Sequence, residues 1–169
     1  MARVESDYIE ESREIYQNAG SEYQRYYFDE DTGGFVLIHQ EHKLTDSELF
    51  VAETFAGQGS RVKLLGEQNL EGIKTPDAEL DGEFWEFKEL RNAINVRGAV
   101  QQDIREGKKQ ARNIAYHINQ DFNIVDINAG IQTAIRFDEN RLVQQITLIF
   151  RTGSFKTLTR SELENGEGF

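Results

Sequence analysis

The stretch Lys74–Leu90, KTPDAELDGEFWEFKEL, decides how this chain is read, because its turn chemistry sets two carboxylates side by side. Asp81-Gly82 stands between two short runs of strand character, and Asp-Gly is the preferred central pair of a two-residue type I′ hairpin. Such a turn fixes the pairing register: Leu80 faces Glu83, Glu79 faces Phe84, Ala78 faces Trp85 and Asp77 faces Glu86. Directly opposed residues share a sheet face, with Cβ atoms roughly 4.5–5.5 Å apart. Lys88, two residues past Glu86, joins the same face. Opposed carboxylates repel unless something bridges them, and a divalent cation held by oxygen ligands does so. The predicted pattern is Asp, a short hairpin, then Glu-x-Lys: Asp77 and Glu86 as ligands of a hard metal, with an ammonium beside them.

Bulk properties set the frame. A length of 169 residues suits one domain with a real core and an appended segment. Hydrophobic content of 38% with 29% charged residues marks a globular chain rather than a disordered one. No apolar run approaches the roughly 18 residues of a membrane span, and no signal-peptide pattern is legible at the start. The chain has no Cys, which excludes disulfides and thiolate metal sites. Pro76 sits directly before Asp77, at the start of a strand, where its missing N–H costs little.

The net charge of −11 argues against a polyanionic partner, but the charge is unevenly spread. Residues 1–85 hold 7 basic and 19 acidic side chains, a balance of −12; residues 86–118 hold 7 and 4, a balance of +3. Residues 131–160 hold 5 and 2, again +3. This spread is either ordinary variation among solvated faces or the mark of a locally basic part beside Glu-x-Lys that faces phosphates, with the acidic remainder facing a basic partner.

Working outward, residues 4–18 read as an acidic helix stopped near Gly20. QRYYFDEDTGGFVLIHQ reads as a hairpin turning at Asp31–Gly34. His39 and His42, three apart at a strand end, point to opposite faces and are expected to be two solvated histidines rather than a metal pair. Thr45-Asp46-Ser47-Glu48 resembles a helix N-terminus, and Gly57 and Gly59 end the run ELFVAETFAGQG. RVKLL (61–65) is a strand, followed by a Gly- and Glu-rich loop and the hairpin. Residues 98–119 carry Val100, Ile104, Ala111, Ala115 and Ile118 at helical spacing and predict a second helix, which Gly107 interrupts for close packing. FNIVDI (122–127) predicts a strand, 128–138 a helix, and QQITLIF with SFKTLTR a ribbon around Thr152-Gly153. The predicted class is α+β with an α/β-like core: helix, three strands, helix, strand.

That order, with Pro76-Asp77 on one strand and Glu86-Phe87-Lys88 on the next, resembles the restriction-endonuclease-like PD-(D/E)XK nuclease superfamily, whose core is a mixed sheet flanked by helices. More narrowly, the chain resembles the C-terminal toxin nucleases of contact-dependent growth inhibition systems and related polymorphic-toxin and phage head-morphogenesis proteins. The residues that carry this are Glu48, Ala52, Gly59, Thr75-Pro76-Asp77, Trp85-Glu86-Phe87-Lys88 and Lys108-Lys109-Gln110. The resemblance spans about residues 45–130. It divides the chain into an accessory helix and hairpin, 1–44, and a nuclease domain, 45–169.

What the resemblance implies is a metal-dependent endonuclease delivered as part of a larger secreted or phage protein. Such a domain acts in the cytoplasm on tRNA in preference to DNA, and is held in check by a cognate immunity protein. Asp77 and Glu86 would hold Mg²⁺ or Mn²⁺ in preference to Zn²⁺, and Lys88 would orient or deprotonate the attacking water or neutralise the phosphate. Glu48 is the third acid; it shares a helix face with Ala52 and Phe55, although a capping-box role explains it equally. Gln110 matches the family's second-helix position, where it would hold water or phosphate. Lys108, Lys109 and Arg112 would serve phosphate contact, or stand as a solvated face. Trp85 and Phe87 fall on the opposite sheet face and are expected in the core. Two other functions fit the residues. One comes from the C-terminal tail, which resembles metal-independent toxin ribonucleases and so implies a site using Arg136, Thr159 and Arg160; the other is a non-enzymatic domain whose acidic half docks a basic partner.

Overall fold

The computed structural model describes residues 2–67 and 74–169, so most of the Gly- and Glu-rich loop lies outside the described residues. The chain is α+β, with eight strands and five helices among the described residues. It divides into two compact units, Met1–Phe84 and Trp85–Phe169. No helix among the described residues is long and apolar enough to cross a membrane.

The first unit holds α1 (Ala2–Gln17), β1 (Tyr23–Phe28), β2 (Phe35–His39), α2 (Asp46–Gly57), β3 (Arg61–Leu64) and β4 (Ala78–Leu80). β1 and β2 pair antiparallel, β2 and β3 parallel, β3 and β4 antiparallel, so the sheet is mixed as expected. The apolar run Phe35–Ile38 is wholly buried, together with Val51, Ala52, Phe55 and Ala56 of α2 and Val62 and Leu64 of β3. α1 has no basic residue in its last turn. Arg25 of β1 supplies one, donating to the carbonyls of Tyr16 and Gln17 at the helix end. Arg61 of β3 bonds Ser12 at 2.8 Å and stacks over the Tyr8 ring, tying α1 to the sheet. The accessory boundary drawn at residue 44 does not coincide with a unit boundary, because β2 is laddered to β3.

β5 (Glu83–Leu90) follows β4 through Asp81 and Gly82. Their φ angles of +50° and +87° are both left-handed, as a type I′ turn requires. The second unit continues with α3 (Val96–Gly107), β6 (Asn113–Ile118), α4 (Ile124–Phe137), β7 (Gln145–Phe150), β8 (Phe155–Thr159) and α5 (Arg160–Glu164). β5, β6 and β7 run parallel, joined by α3 and α4 as crossovers, and β8 closes antiparallel on β7. One sheet face, carrying Leu90, Ile114, Tyr116, Ile118, Ile146 and Leu148, forms a single core with Val100, Ile104, Ile127 and Ile131 of the helices.

Two expectations are corrected. The helix predicted over 98–119 stops at Gly107, and residues 113–118 form β6. All six residues of β6 are buried. A central parallel strand covered on both faces shows no alternation, and its Ala115 and Ile118 extended the helical spacing by accident. FNIVDI is not a strand: Asn123 caps α4, its side chain accepting from the Val125 N–H, so the helix expected from 128 starts at 124. With β6 moved into place, the order from α2 to β6 is the predicted helix, three strands, helix, strand.

Candidate functional site

The unit boundary falls after Phe84, so Glu48 and Asp77 belong to the first unit and Glu86, Lys88 and Gln110 to the second. In the first unit Thr45 caps α2, accepting from the Glu48 N–H at 3.1 Å. This fixes the first turn and with it the Glu48 side chain, which is 18% exposed. Its carboxylate is ion-paired with Nε2 of His42. On the far side of the ring, Nδ1 lies 2.6 Å from the Leu65 carbonyl oxygen. The Leu65 N–H in turn donates to the carbonyl of Asp77 at 2.9 Å, extending the β3–β4 ladder by one rung.

The expectation of two solvated histidines is therefore wrong for His42, whose side chain is 5% exposed. Burial disfavours its charged form. Against that, the Glu48 hydrogen bond, the Leu65 carbonyl and the charges of Glu48 and Asp77 together raise its pKa. His42 lies beyond the end of β2, where strand alternation no longer sets direction. His39, at the strand end, accepts from the Glu41 N–H and meets Tyr23 edge-on.

In the second unit, β5 places Glu86 and Lys88 on one face by alternation. They stand beside Ile114 and Tyr116 in the parallel register. Glu86 is only 3% exposed. The Lys88 ammonium lies 3.9 Å from its carboxylate. Trp85 and Phe87 are buried core residues, as expected. Gly107 gives Lys88 its room: a Cβ there would stand 3.6 Å from Lys88 Cε and 3.1 Å from Ile114 Cδ1. The close packing expected at this glycine is present.

Behind Lys88 lie two residues that the sequence reading passed over. Asp103 on α3 accepts from the hydroxyl of Tyr116, a side chain with no exposed surface. Burial pushes the Asp103 carboxyl up, with the Tyr116 hydrogen bond and the Lys88 charge opposing it. Burial likewise raises the Tyr116 phenol. A signal for Asp103 was available. Val100, Asp103, Ile104 and Gly107 follow i, i+3, i+4, i+7, so an acid sits inside the apolar stripe of α3.

The remaining expected residues divide. Gln110 is not on the second helix; it lies in the turn after α3, its N–H bonded to the Gly107 carbonyl. Lys108, expected on a solvated face, is ion-paired with Asp138 at 3.7 Å and is 21% exposed. Lys109 pairs with Glu106 on the surface, and Arg112 is exposed. The C-terminal residues have structural work. Arg160 is buried against Asp138, Glu164 and the carbonyls of Val143 and Ile135, while Thr159 forms the capping box of α5. Arg136 is exposed on α4.

The donor chemistry bears on a metal. Asp77 and Glu86 offer only carboxylate oxygens, the set that suits Mg²⁺ or Mn²⁺. Among the described residues no group of three or more His, Asp or Glu gathers as a metal cage. Mg²⁺ commonly takes one or two carboxylates and completes its shell with water and substrate phosphate, so these residues fit it in kind.

Residues 74–155 match the family model of the contact-dependent growth inhibition CdiA C-terminal domain. That segment includes Asp77, Glu86, Lys88 and Gln110 and leaves out Glu48. No curated protein matches the chain in sequence. Among solved structures, the chain is similar to a toxin and immunity complex of CdiA-CT and CdiI from Burkholderia pseudomallei, with 17% identity and a TM-score of 0.45, covering 69% of this chain and 91% of that one.

Proposed function

We propose that this chain is a bacterial toxin domain acting as a metal-dependent nuclease, with tRNA as its substrate and a cognate immunity protein as its partner. The observation that carries the reading is the buried Glu86 carboxylate with the Lys88 ammonium alongside it, inside the segment that matches the CdiA C-terminal family. Burying a carboxylate costs stability, and a buried acid with an ammonium beside it suits a site that must hold both a cation and a phosphate.

Asp77 and Glu86 are the proposed ligands of Mg²⁺ or Mn²⁺. When bound, such a cation supplies charge stabilisation to the phosphate and acidifies a water. Lys88 carries the positive charge that orients the attacking water or offsets the phosphate, and burial of its stem beside Gly107 holds it there without a flexible search. Glu48, oriented by its cap and by His42, is the third acid. Gln110, in the turn after α3, is the residue assigned to hold water or phosphate. The metal-independent alternative is disfavoured by the structural commitments of Arg160 and Thr159.

The test is cleavage of total RNA and of plasmid DNA by purified protein in Mg²⁺, Mn²⁺ or EDTA. RNA cleavage that needs the cation and is abolished by Asp77→Ala, Glu86→Gln or Lys88→Ala is the expected result. Undiminished cleavage in EDTA overturns the metal mechanism. Preferential cutting of plasmid overturns the RNA assignment, and silence under every condition overturns the nuclease.

A further inference from the structure

We propose that His42 is a positioning residue: an imidazolium clamp that fixes the direction of the Glu48 carboxylate and ties α2 to the strand end at Asp77. The inference rests on the assignment of Glu48 to the site. Its basis is which atoms face the ring. A carbonyl oxygen can only accept, so Nδ1, at 2.6 Å from Leu65 O, must carry a proton. The Glu48 carboxylate also accepts, so Nε2 needs a proton of its own. A neutral imidazole has one N–H and would leave one of these acceptors facing a lone pair. The geometry is therefore that of a doubly protonated ring between a carboxylate and a carbonyl.

The surroundings agree. Glu48 from α2 and Asp77 from the approach to β4 are the charged groups that act on the ring, and both favour its charged form. The neighbouring cation, Lys43, is 83% exposed and turned to Glu67 at 3.3 Å. The peptide group of Leu65 completes the link: its carbonyl accepts from His42 while its N–H donates to Asp77. One short path thus runs from Glu48 through the ring and a single backbone unit to Asp77. A rotamer change at Glu48 would break an ion pair in a largely buried setting, so the acid is held in one direction before substrate arrives.

Two measurements test this. In the cleavage assay, His42→Ala is expected to lower kcat by about 10- to 100-fold with KM little changed, the range seen when an orienting partner is removed. In a Glu48→Gln background the same change should have no further effect. Effects that multiply, or wild-type turnover in His42→Ala, overturn the proposal. Independently of activity, the ring ¹⁵N resonances of His42 in wild-type protein at neutral pH should report both nitrogens protonated. Glu48→Gln should convert them to those of a neutral ring. A neutral ring in the wild type, or no change in Glu48→Gln, overturns the clamp. If the wild type cleaves nothing, the nuclease reading fails and the resonance measurement alone decides His42.

Discussion

The guanidinium of Arg160 and the carboxylate of Asp138 meet at 2.6 Å inside the second unit, with side chains 7% and 1% exposed. Asp138 also accepts from the N–H groups of Leu142 and Val143, and Arg160 donates to the Val143, Ile135 and Asp138 carbonyls. The pair holds the end of α4, the entry to β7 and the start of α5 in one network. Removing Arg160 takes the closest cation from the buried Asp138 carboxylate and leaves it to the Leu142 and Val143 N–H groups and to Lys108 at 3.7 Å. Arg160→Ala is expected to cost about 3–5 kcal/mol in urea unfolding. Any activity it loses should return where the variant is folded, in contrast to Lys88→Ala, which should lose activity while keeping its stability.

Acid should find the same network. Burial alone would raise the Asp138 carboxyl, but the Val143 and Leu142 N–H groups and Arg160 outweigh it and hold the pKa below the ordinary 3.8. A depressed carboxyl contributes stability that is present above its unfolded value and is lost as pH falls through the folded one. Unfolding of wild type and Asp138→Asn should therefore differ most near neutrality. The difference should shrink below pH 3.8. A difference independent of pH would mean the carboxylate charge plays no part.

The elements with their own punctuation were legible in the sequence. Thr45 as a cap, Asp81-Gly82 as a turn and Thr152-Gly153 between two β-branched runs each announce a boundary locally. β6 was not legible, because a strand buried on both faces loses its alternation and borrows the helical spacing of whatever precedes it. At the candidate site, Glu86 and Lys88 followed from period two and Glu48 from its helix start. His42, Asp103 and Tyr116 did not, since each acquires its role from a partner distant in sequence or held by a different element. The surface reading of Lys108 failed for the same reason: its carboxylate, Asp138, lies thirty residues on.

Asp103 gives a prediction with an unusual sign. Its carboxyl is raised chiefly by burial. Its contribution is therefore fullest below the unfolded value of 3.8 and declines as pH rises through the folded one. Asp103→Asn keeps an oxygen for the Tyr116 hydroxyl and removes a partly buried charge, so at neutral pH it should be as stable as wild type or more so. Asp103→Ala strands that hydroxyl in the core and should cost about 1–3 kcal/mol. Urea midpoints of the two variants decide it. Equal losses would show that the carboxylate charge, not its hydrogen bond, is what the fold uses.

The turn that sets β5 after β4 makes a local prediction. Gly82 has φ +87°, and a Cβ at this position would meet no atom within 4 Å, so a larger residue clashes with nothing and only the backbone objects. Gly82→Ala should cost about 1–2 kcal/mol, the penalty of the left-handed region for an L-residue. Gly82→Asn should cost less, since Asn tolerates that region. A neutral Gly82→Ala, by thermal or urea unfolding, would mean the turn is not held in this geometry.

The basic stretch after α3 predicts how salt acts on substrate binding. Lys108 is engaged with Asp138 and little exposed, whereas Lys109 has only a surface partner and Arg112 is exposed. Surface pairs are worth little and are easily exchanged for phosphate. With Glu86→Gln protein, in which cleavage is expected to be lost, Lys109→Gln and Arg112→Gln should each lower the slope of log K against log salt by about 0.7–0.9 for nucleic acid, one released counterion apiece. Lys108→Gln should instead lower the unfolding midpoint and change the slope less, because its charge already has a buried carboxylate to serve. Slopes unchanged in both Lys109→Gln and Arg112→Gln would mean that nucleic acid does not approach along this stretch, and the +3 balance of residues 86–118 would be a solvated face only.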